Sequence, residues 1–235
     1  MAKIDKTQYT KEQYKLLKAA AKVAKKQVDI FEPQPSRVAL ESSAFVLGNG
    51  TSRSSIIPSE LKQLGKVYGC NALYRTFSPD YLIAVDTKMV VEINSSGYQK
   101  HNQVWTNPNK LYDRMEGFNL FKPSKGWSSG PTALWLASQH GHKTIYILGF
   151  DYKGSNNGKY FNNIYADTEN YKKSNDTATY YGNWLRQTKS VLESHGSINY
   201  VRVIASDNFI PPELNKIVNL KHMDVETFKK IHSLT

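Results

Sequence analysis

Short apolar runs alternate with amphipathic segments after Pro33 and Pro35, and this alternation restricts the fold more than any other feature of the sequence. A short apolar run followed by a helical segment is typical of a strand with a crossover connection, which makes neighbouring strands parallel. We therefore predict an α/β domain over residues 36–235, with a Rossmann-like, parallel or mostly parallel sheet flanked by helices. The predicted strands are 38–47, 66–70, 81–85, 103–106, 144–148 and 200–204, and the predicted helices are 54–64, 88–95, 130–140, 179–195 and 225–232.

Residues 1–35 form a separate basic segment with a hinge. Thr10 and Gln13 have the spacing of a capping box, and the apolar residues that follow recur at helical spacing. Most of the charged residues in this segment are lysines, and the whole chain has a formal net charge of +11. The segment predicts a basic amphipathic helix. Its apolar stripe would dock on the domain, or its lysines would contact a polyanion such as nucleic acid, or the helix would lie on a membrane surface.

The absence of targeting signals and the single cysteine indicate the cellular location that we expect for the protein. No run of about 18 apolar residues occurs, so we expect no membrane span, and the N-terminus lacks the apolar stretch of a signal peptide. We expect a cytoplasmic protein. The single cysteine, Cys70, excludes an internal disulfide and a multi-cysteine zinc site, and its apolar surroundings predict a buried, inert thiol.

One predicted strand ends in glycines and small hydroxylated residues, in the stretch "SAFVLGNGTSRSSI". In a parallel sheet, ligands bind outside the carboxyl ends of the strands, where glycines permit close backbone approach and a helix N-terminus favours phosphate. An ordinary strand-to-helix turn uses the same residue types. Arg53 stands where the dinucleotide fingerprint needs its third glycine, and the P-loop pattern is absent, so both of those modes are disfavoured. The candidate binding residues here are Gly48, Asn49, Gly50, Thr51 and Ser52.

Three other predicted strand or helix ends carry small, amide or acidic side chains. Because the carboxyl ends of parallel strands share one edge of the sheet, we expect these ends to gather around one nucleotide site. The additional candidate nucleotide-binding residues are Asn71, Asp86, Ser128, Ser129, Gly130 and Asp151.

The motifs "VLGNGTSRSSI", "GCNALYR" and "GWSSGPTALWLASQHGHKTIYILGFDY" resemble those of bacterial sialyltransferases that use a cytidine-monophosphate sugar. The same skeleton is similar to the archaeal hydroxymethylpterin pyrophosphokinase group, and the whole chain is similar to proteins of tailed bacteriophages. The resemblance covers residues 43–152. If the chain is encoded by a phage, the expected location is the host cytoplasm.

The resemblance implies roles for individual residues. Asn49 and Gly50 would contact the ribose or phosphate of the nucleotide, and Asn71 would bind the nucleotide or the transferred group. Ser129 and Gly130 would meet the nucleotide, and Asp151 would lie beneath its base or ribose. Structural roles also explain these residues: Asn71 as a turn residue, Ser129 as a helix N-cap and Asp151 as a loop cap.

The sequence departs from the sialyltransferase pattern at two places. Thr51 replaces a proline, and the segment "TATYYGNWLRQ" lacks the catalytic histidine that the family has there. Acidic substitutes for this general base are Asp86 and three residues of the polar segment 151–176, which we predict to be a long loop acting as a lid or binding loop. Tyrosines of that loop would donate hydrogen bonds to a departing phosphate. Ordinary surface positions explain each of these residues as well: Asp167, Glu169, Asp176, Tyr160, Tyr165 and Tyr171.

We therefore expect a glycosyltransferase-like enzyme that uses a nucleotide-sugar donor of the CMP or UDP type and a hydroxyl acceptor, for instance a modified base of phage DNA. The catalytic candidates are Asp167, Glu169 and Tyr165. No metal site is predicted, because no D-x-D pair is present, so no further cofactor is required. The alternatives are a nucleotidyl or pyrophosphoryl transferase of the pterin type, which would need magnesium, and a non-catalytic nucleotide-binding protein.

Overall fold

A computed structural model describes residues 43–205, 207 and 209–235. Within these residues, eight strands form one sheet in the order β5-β4-β3-β2-β1-β6-β7-β8, and all neighbours pair in parallel. The predicted parallel α/β fold is confirmed. The predicted basic helix and hinge of residues 1–35 lie outside the described residues, as do residues 38–42 of the first predicted strand. The strands are β1 (Ser43–Leu47), β2 (Lys66–Cys70), β3 (Tyr81–Ile83), β4 (Val104–Thr106), β5 (Phe118–Leu120), β6 (Thr144–Leu148), β7 (Asn199–Ile204) and β8 (Leu220–Asp224).

Five regular α-helices connect or flank these strands: α1 (Pro58–Leu61), α2 (Thr87–Ser96), α3 (Ser129–Gln139), α4 (Gly182–Ser194) and α5 (Val225–His232). A further four-residue helical segment, Ser155–Gly158, has non-helical backbone angles at Asn156 and Asn157. The helix predicted over 54–64 is shorter than expected because Pro58 occupies the first turn, where a proline is tolerated only at the start of a helix. Strands β5 and β8 were not predicted. None of the helices in the described part of the chain is long and apolar enough to span a membrane.

Helices cover both faces of the sheet, and β1 lies at its centre. Ala44 and Val46 of β1 belong to the core that α3 and α4 cover, while Phe45 and Leu47 belong to the opposite core, which α2 and α5 cover. All four side chains are fully buried. Burial on both faces explains why this strand reads as a continuous apolar run instead of alternating with polar residues.

The strand order reverses direction between β1 and β6. The chain builds β1 to β5 outward on one side of β1, then returns to add β6, β7 and β8 on the other side. The connections that leave β1 and β6 therefore diverge, and a crevice opens at the carboxyl ends of these two strands. This is the place where α/β sheets of this kind bind ligands.

Candidate functional site

The ends of β1 and β6 approach each other through two glycines. The amide of Gly48 donates to the carbonyl of Leu148 at 2.8 Å, and the amide of Gly50 donates to the carbonyl of Gly149 at 2.9 Å. A Cβ added to Gly48 would lie 2.5 Å from the carbonyl oxygen of Gly149, and one added to Gly50 would lie 2.5 Å from the carboxyl of Asp151. These glycines therefore permit two chain segments to meet, which differs from the direct ligand approach expected from the sequence.

A cavity of about 210 Å³ lies at this crevice, and we call it the central cavity. Nine of the eleven predicted binding residues line it. Thr51 and Ser52 do not: they line a second cavity on the other side of Asp151. The predicted residues at the central cavity are Gly48, Asn49, Gly50, Asn71, Asp86, Ser128, Ser129, Gly130 and Asp151.

The side chain of Asn49 connects the ends of β1 and β2 through hydrogen bonds. Its Nδ2 donates to the carbonyl of Cys70 at 3.2 Å and to Tyr171 Oη at 3.4 Å, and its Oδ1 accepts from Arg53 at 3.2 Å. The residue is 9% exposed. Because both ends of the amide are committed to protein groups, the side chain positions the corners of β1 and β2. One lone pair of Oδ1 remains for the ligand contact that the resemblance implied.

Asn71, Ser129 and Asp86 form a hydrogen-bonded chain across three elements. Ser129 Oγ donates to Asn71 Oδ1 at 2.7 Å and accepts from the amide of Val85 at 3.1 Å. Asn71 Nδ2 donates to Asp86 Oδ2 at 3.4 Å. Asn71 has a left-handed backbone, with φ of 54°. The network fixes the ends of β2 and β3 against the first turn of α3, so Ser129 is a cross-strand contact and not a helix cap.

The N-terminus of α3 opens onto the central cavity. Ser128 is the N-cap residue, but no side chain caps the helix, and Ser128, Ser129 and Gly130 all line the cavity. The first N–H groups of a helix have no acceptor within it. Together with the helix dipole they favour an anion such as phosphate.

Asp86 differs from Asp151, the other carboxylate at the central cavity, in how many donors it meets. Asp151 accepts from the Ser52 amide at 3.1 Å, from Asn162 at 3.0 Å and from the Ser52 hydroxyl. Asp86 precedes α2, but its side chain does not cap the helix. Among the described residues, its carboxylate accepts one hydrogen bond, the long one from Asn71. Partial burial raises the pKa of the Asp86 carboxyl, and the bond from Asn71 opposes this. Asp86 therefore keeps free lone pairs at the central cavity.

Two buried arginines lie behind the strand ends. Arg53 Nε donates to the carbonyl of Gly48, and Arg202 Nε donates to the carbonyl of Phe150 at 2.8 Å. Both are at most 5% exposed, and neither forms a salt bridge with a described residue. Burial lowers the pKa of Arg202. Arg53 bonds to Gly48 and Asn49 at the central cavity, so its positive charge favours an anionic ligand there.

Sequence reasoning missed both arginines as site residues. Arg202 carries a readable signal, since it interrupts the apolar run of β7, "NYVRVI". A charge at the centre of a buried strand needs a partner, and the partners here are the backbone carbonyls that leave β6.

The predicted loop crosses the carboxyl edge of the sheet. The amide of Ile164 donates to the carbonyl of Asn49 at 2.8 Å, and Arg75 donates to Thr168 Oγ1 at 2.8 Å. The loop therefore covers the crevice from β6 to β2. It and the start of α4 add residues to the central cavity that sequence reasoning missed: Phe161, Asn162, Asn163, Thr179, Tyr181 and Trp184.

The three predicted catalytic residues do not line the central cavity. Asp167 is exposed and accepts from the Ser174 amide at 3.1 Å. Glu169 is exposed and its carbonyl accepts from Arg75 at 2.9 Å. Tyr165 is buried, with its hydroxyl 3.0 Å from that of Thr76. The loop segment that carries them is tied to the β2 side of the sheet and leaves its acidic groups in solvent.

Among the acidic substitutes for the missing histidine, Asp86 is therefore the one that lines the central cavity. Asp176 is exposed and accepts from the Lys173 amide at 2.8 Å. Tyr171 reaches Asn49 and the amide of Ala72, behind the cavity wall. No group of three histidine, cysteine or acidic residues is placed to hold a metal ion in the described part of the chain.

Comparisons with protein-family models, with curated proteins and with solved structures find no match. The geometry of the central cavity is therefore the main basis for a function, and the resemblance of residues 43–152 contributes only its motifs.

Proposed function

We propose that this protein is a glycosyltransferase-like enzyme that binds a CMP- or UDP-type nucleotide sugar in the central cavity and transfers the sugar to a hydroxyl group. The observation that carries the proposal is the convergence of Asn71, Ser129 and Asp151 on one cavity at the strand-order reversal. Separate turns would each explain one of these residues, whereas their convergence supports one ligand site.

The phosphate of the donor is assigned to the first turn of α3. The N–H groups of Ser129 and Gly130 supply donors there, and the positive charge of Arg53 lies behind the adjoining end of β1. The cavity volume of about 210 Å³ is below the about 300–1,000 Å³ of typical ligand pockets. Part of a nucleotide sugar would therefore extend past the rim, where Tyr181 and Trp184 offer aromatic faces for stacking.

Asp86 is proposed as the general base. A base must accept the proton of the acceptor hydroxyl while the sugar leaves the donor phosphate, and its pKa should approach the working pH. Asp86 has free lone pairs at the cavity and a raised pKa, whereas Asp151 already accepts three hydrogen bonds. This assignment replaces the loop acids Asp167 and Glu169.

The donor part of the proposal is tested by thermal unfolding with CMP, UMP, CDP, UDP and the corresponding nucleotide sugars. We expect a pyrimidine nucleotide to raise the midpoint, and Asn71→Gly to weaken its binding about tenfold, a typical loss for one or two hydrogen bonds. Glycine keeps the left-handed backbone of Asn71 accessible. Ser233→Gly is the matched control, because Ser233 is also left-handed, with φ of 53°, but lies outside the cavity.

The transfer part is tested by turnover of the bound nucleotide sugar. Slow hydrolysis without acceptor, accelerated by an acceptor hydroxyl, would support it. The acceptor panel should include hydroxymethylated DNA, because a net charge of +11 favours polyanions. Binding without turnover would indicate a non-catalytic nucleotide-binding protein. A rise in the unfolding midpoint with triphosphates and magnesium, and with no other nucleotide, would favour pyrophosphoryl transfer.

A further inference from the structure

The second cavity has a volume of about 380 Å³ and lies at the ends of β6 and β7. It shares a wall with the central cavity, since Asp151, Lys153, Gly154 and Asn162 line both. The predicted binding residues Thr51 and Ser52 belong to this second cavity. This polar recess is built against the same strand ends as the central cavity but has a different set of side chains.

The charged side chains that line the second cavity balance each other. Arg202 and Lys153 are the cations, Asp151 and Asp207 are the carboxylates, and Lys153 pairs with Asp207. A recess with no net charge gives no advantage to a free phosphate or another small ion. Its paired charges and amides instead suit a neutral ligand that both donates and accepts hydrogen bonds.

Two asparagines of the second cavity have uncommitted side chains. Asn156 and Asn157 both line it, and neither side-chain amide forms a hydrogen bond with a described residue. They lie at the tip of a hairpin whose base is fixed, because Ser155 and Tyr160 exchange backbone hydrogen bonds of 2.9 and 3.1 Å. The turn therefore holds two free amides, each with donors and an acceptor, at a rigid position.

The backbone of this turn is unusual. Asn156 and Asn157 both have left-handed conformations, with φ of 47° and 55°, and Gly158 follows with φ of 88°. Asparagine tolerates this region better than most residues, and Asn-Gly turns are common in hairpins, so the turn explains the backbone. Both residues are exposed and line the second cavity, so their amides are available to a ligand that carries hydroxyl groups.

The second cavity also has an aromatic surface. Phe209 lines it, with the amino group of Lys153 5.3 Å from the centre of its ring. Sugar rings have apolar faces beside their hydroxyl groups, so a site that combines an aromatic ring with amides and hydroxyls can meet both.

We propose that the second cavity binds a neutral polyhydroxyl ligand, a free sugar or the terminal sugar of a glycan, through Asn156 and Asn157. This inference does not depend on the proposed nucleotide-sugar chemistry, because the two cavities are probed by different ligands. The two cavities share a wall, so a sugar in the second cavity would lie beside a nucleotide sugar in the central cavity.

The test uses ligand-observed NMR on the full chain without nucleotide, with glucose, galactose, N-acetylglucosamine and lactose as probes. We expect at least one probe to bind and the double variant Asn156→Gly/Asn157→Gly to lose about tenfold in affinity, as expected for lost hydrogen bonds. Glycine preserves the left-handed turn. Ser233→Gly, which removes a polar side chain from another left-handed position outside both cavities, should leave the sugar signal unchanged.

Tighter binding of lactose than of its component sugars would identify a glycan terminus, and equal binding would identify a free sugar. The inference is overturned if no probe binds, if the double variant binds as the original chain does, or if phosphate displaces the sugar. The nucleotide-induced shift in unfolding temperature is measured in parallel. A double variant that loses sugar binding but keeps this shift separates the second cavity from the proposed nucleotide site.

Discussion

The carbonyl oxygen of Gly48 lies where the side chain of residue 149 would begin: a Cβ added to Gly149 would be 2.8 Å from it. Gly149 also has a left-handed backbone, with φ of 69°. Two separate constraints, the conformation and the space, therefore act on this one glycine at the floor of the central cavity.

Gly149→Ala should lower the free energy of unfolding by about 2–5 kcal/mol, because left-handed strain costs about 1–2 kcal/mol and overpacking about 1–3 kcal/mol. Gly141→Ala is the matched control, since Gly141 has φ of 77° but nothing within 4 Å of an added Cβ. It should cost only the conformational part, about 1–2 kcal/mol. Urea unfolding of both variants measures the difference, and equal losses would show that the close approach to Gly48 is unimportant.

Asp86→Asn should lower kcat about 10²–10⁴-fold, the usual contribution of a general base, while nucleotide affinity changes little. The control is Asp113→Asn, an exposed acid away from both cavities. In the original chain, activity should rise with pH through a pKa above the ordinary value of 3.8, because the base must be ionised. An unchanged kcat in Asp86→Asn would remove Asp86 from the mechanism.

The same substitution should raise stability at neutral pH. Burial raises the pKa of Asp86 in the folded state, so ionisation costs more in the folded than in the unfolded chain. Asparagine removes that cost. The gain in the free energy of unfolding should be present at pH 7 and should disappear as the pH falls to about 3.8 and below, where Asp86 is protonated in both states. Urea unfolding across this pH range provides the measurement.

Glu92→Gln should loosen the loop over the crevice. Arg75 donates to both carboxylate oxygens of Glu92, at 2.7 and 2.6 Å, and also holds Thr168. Asn170 donates to Glu92 as well, at 2.7 Å. We expect faster amide exchange in residues 164–176 and a loss of about 1–3 kcal/mol in stability, typical for hydrogen bonds to a charged group. Glu193→Gln, on an exposed pair with Lys189, is the control and should change neither quantity.

The contribution of Glu92 should depend on pH. Burial alone would raise the pKa of its carboxyl, but hydrogen bonds from Arg75, Tyr74 and Asn170 outweigh burial and lower the pKa to about 2, from 4.5. The stability difference between the original chain and Glu92→Gln should therefore be complete above pH 4.5 and shrink as the pH falls towards 2. A difference that persists at pH 2 would contradict this origin.

Cys70 should be unreactive in the folded protein. Its side chain is 3% exposed and lies 3.1 Å from the Leu47 carbonyl, and burial raises its pKa to about 12. Little thiolate is then present at pH 8, so modification by a disulfide reagent should be ~10²-fold slower than in the urea-unfolded chain. Equal rates would indicate an accessible thiol and a different packing of the β2 end.

The sequence predicted the central strands well because their burial leaves a plain signal. Strands β2 and β6 have the predicted bounds, since each is an apolar run between turn residues. Strand β8, "LKHMD", is an edge strand with a lysine and a histidine among its five residues, so its composition does not indicate a strand. Its pairing with β7 depends on long-range contact, which the local sequence does not contain.

In the candidate site, as in the sheet, some features could be predicted from the sequence and others could not. Residues at strand ends were predicted because topology alone brings them to one edge, and Asn71, Ser129 and Asp151 do line one cavity. The orientation of the long loop was beyond local reasoning. It depends on ties such as the one between Arg75 and Glu169, which joins residues 94 positions apart and turns the loop acids outward.

The strand at the centre of the sheet is also the first strand of the described chain, and its partner β6 comes about one hundred residues later. During synthesis, β1 must therefore wait with one edge unpaired while β2 to β5 are made. Neither cavity exists until β6 is added, so a nascent chain arrested before Thr144 should have no capacity to capture the ligands of the finished protein.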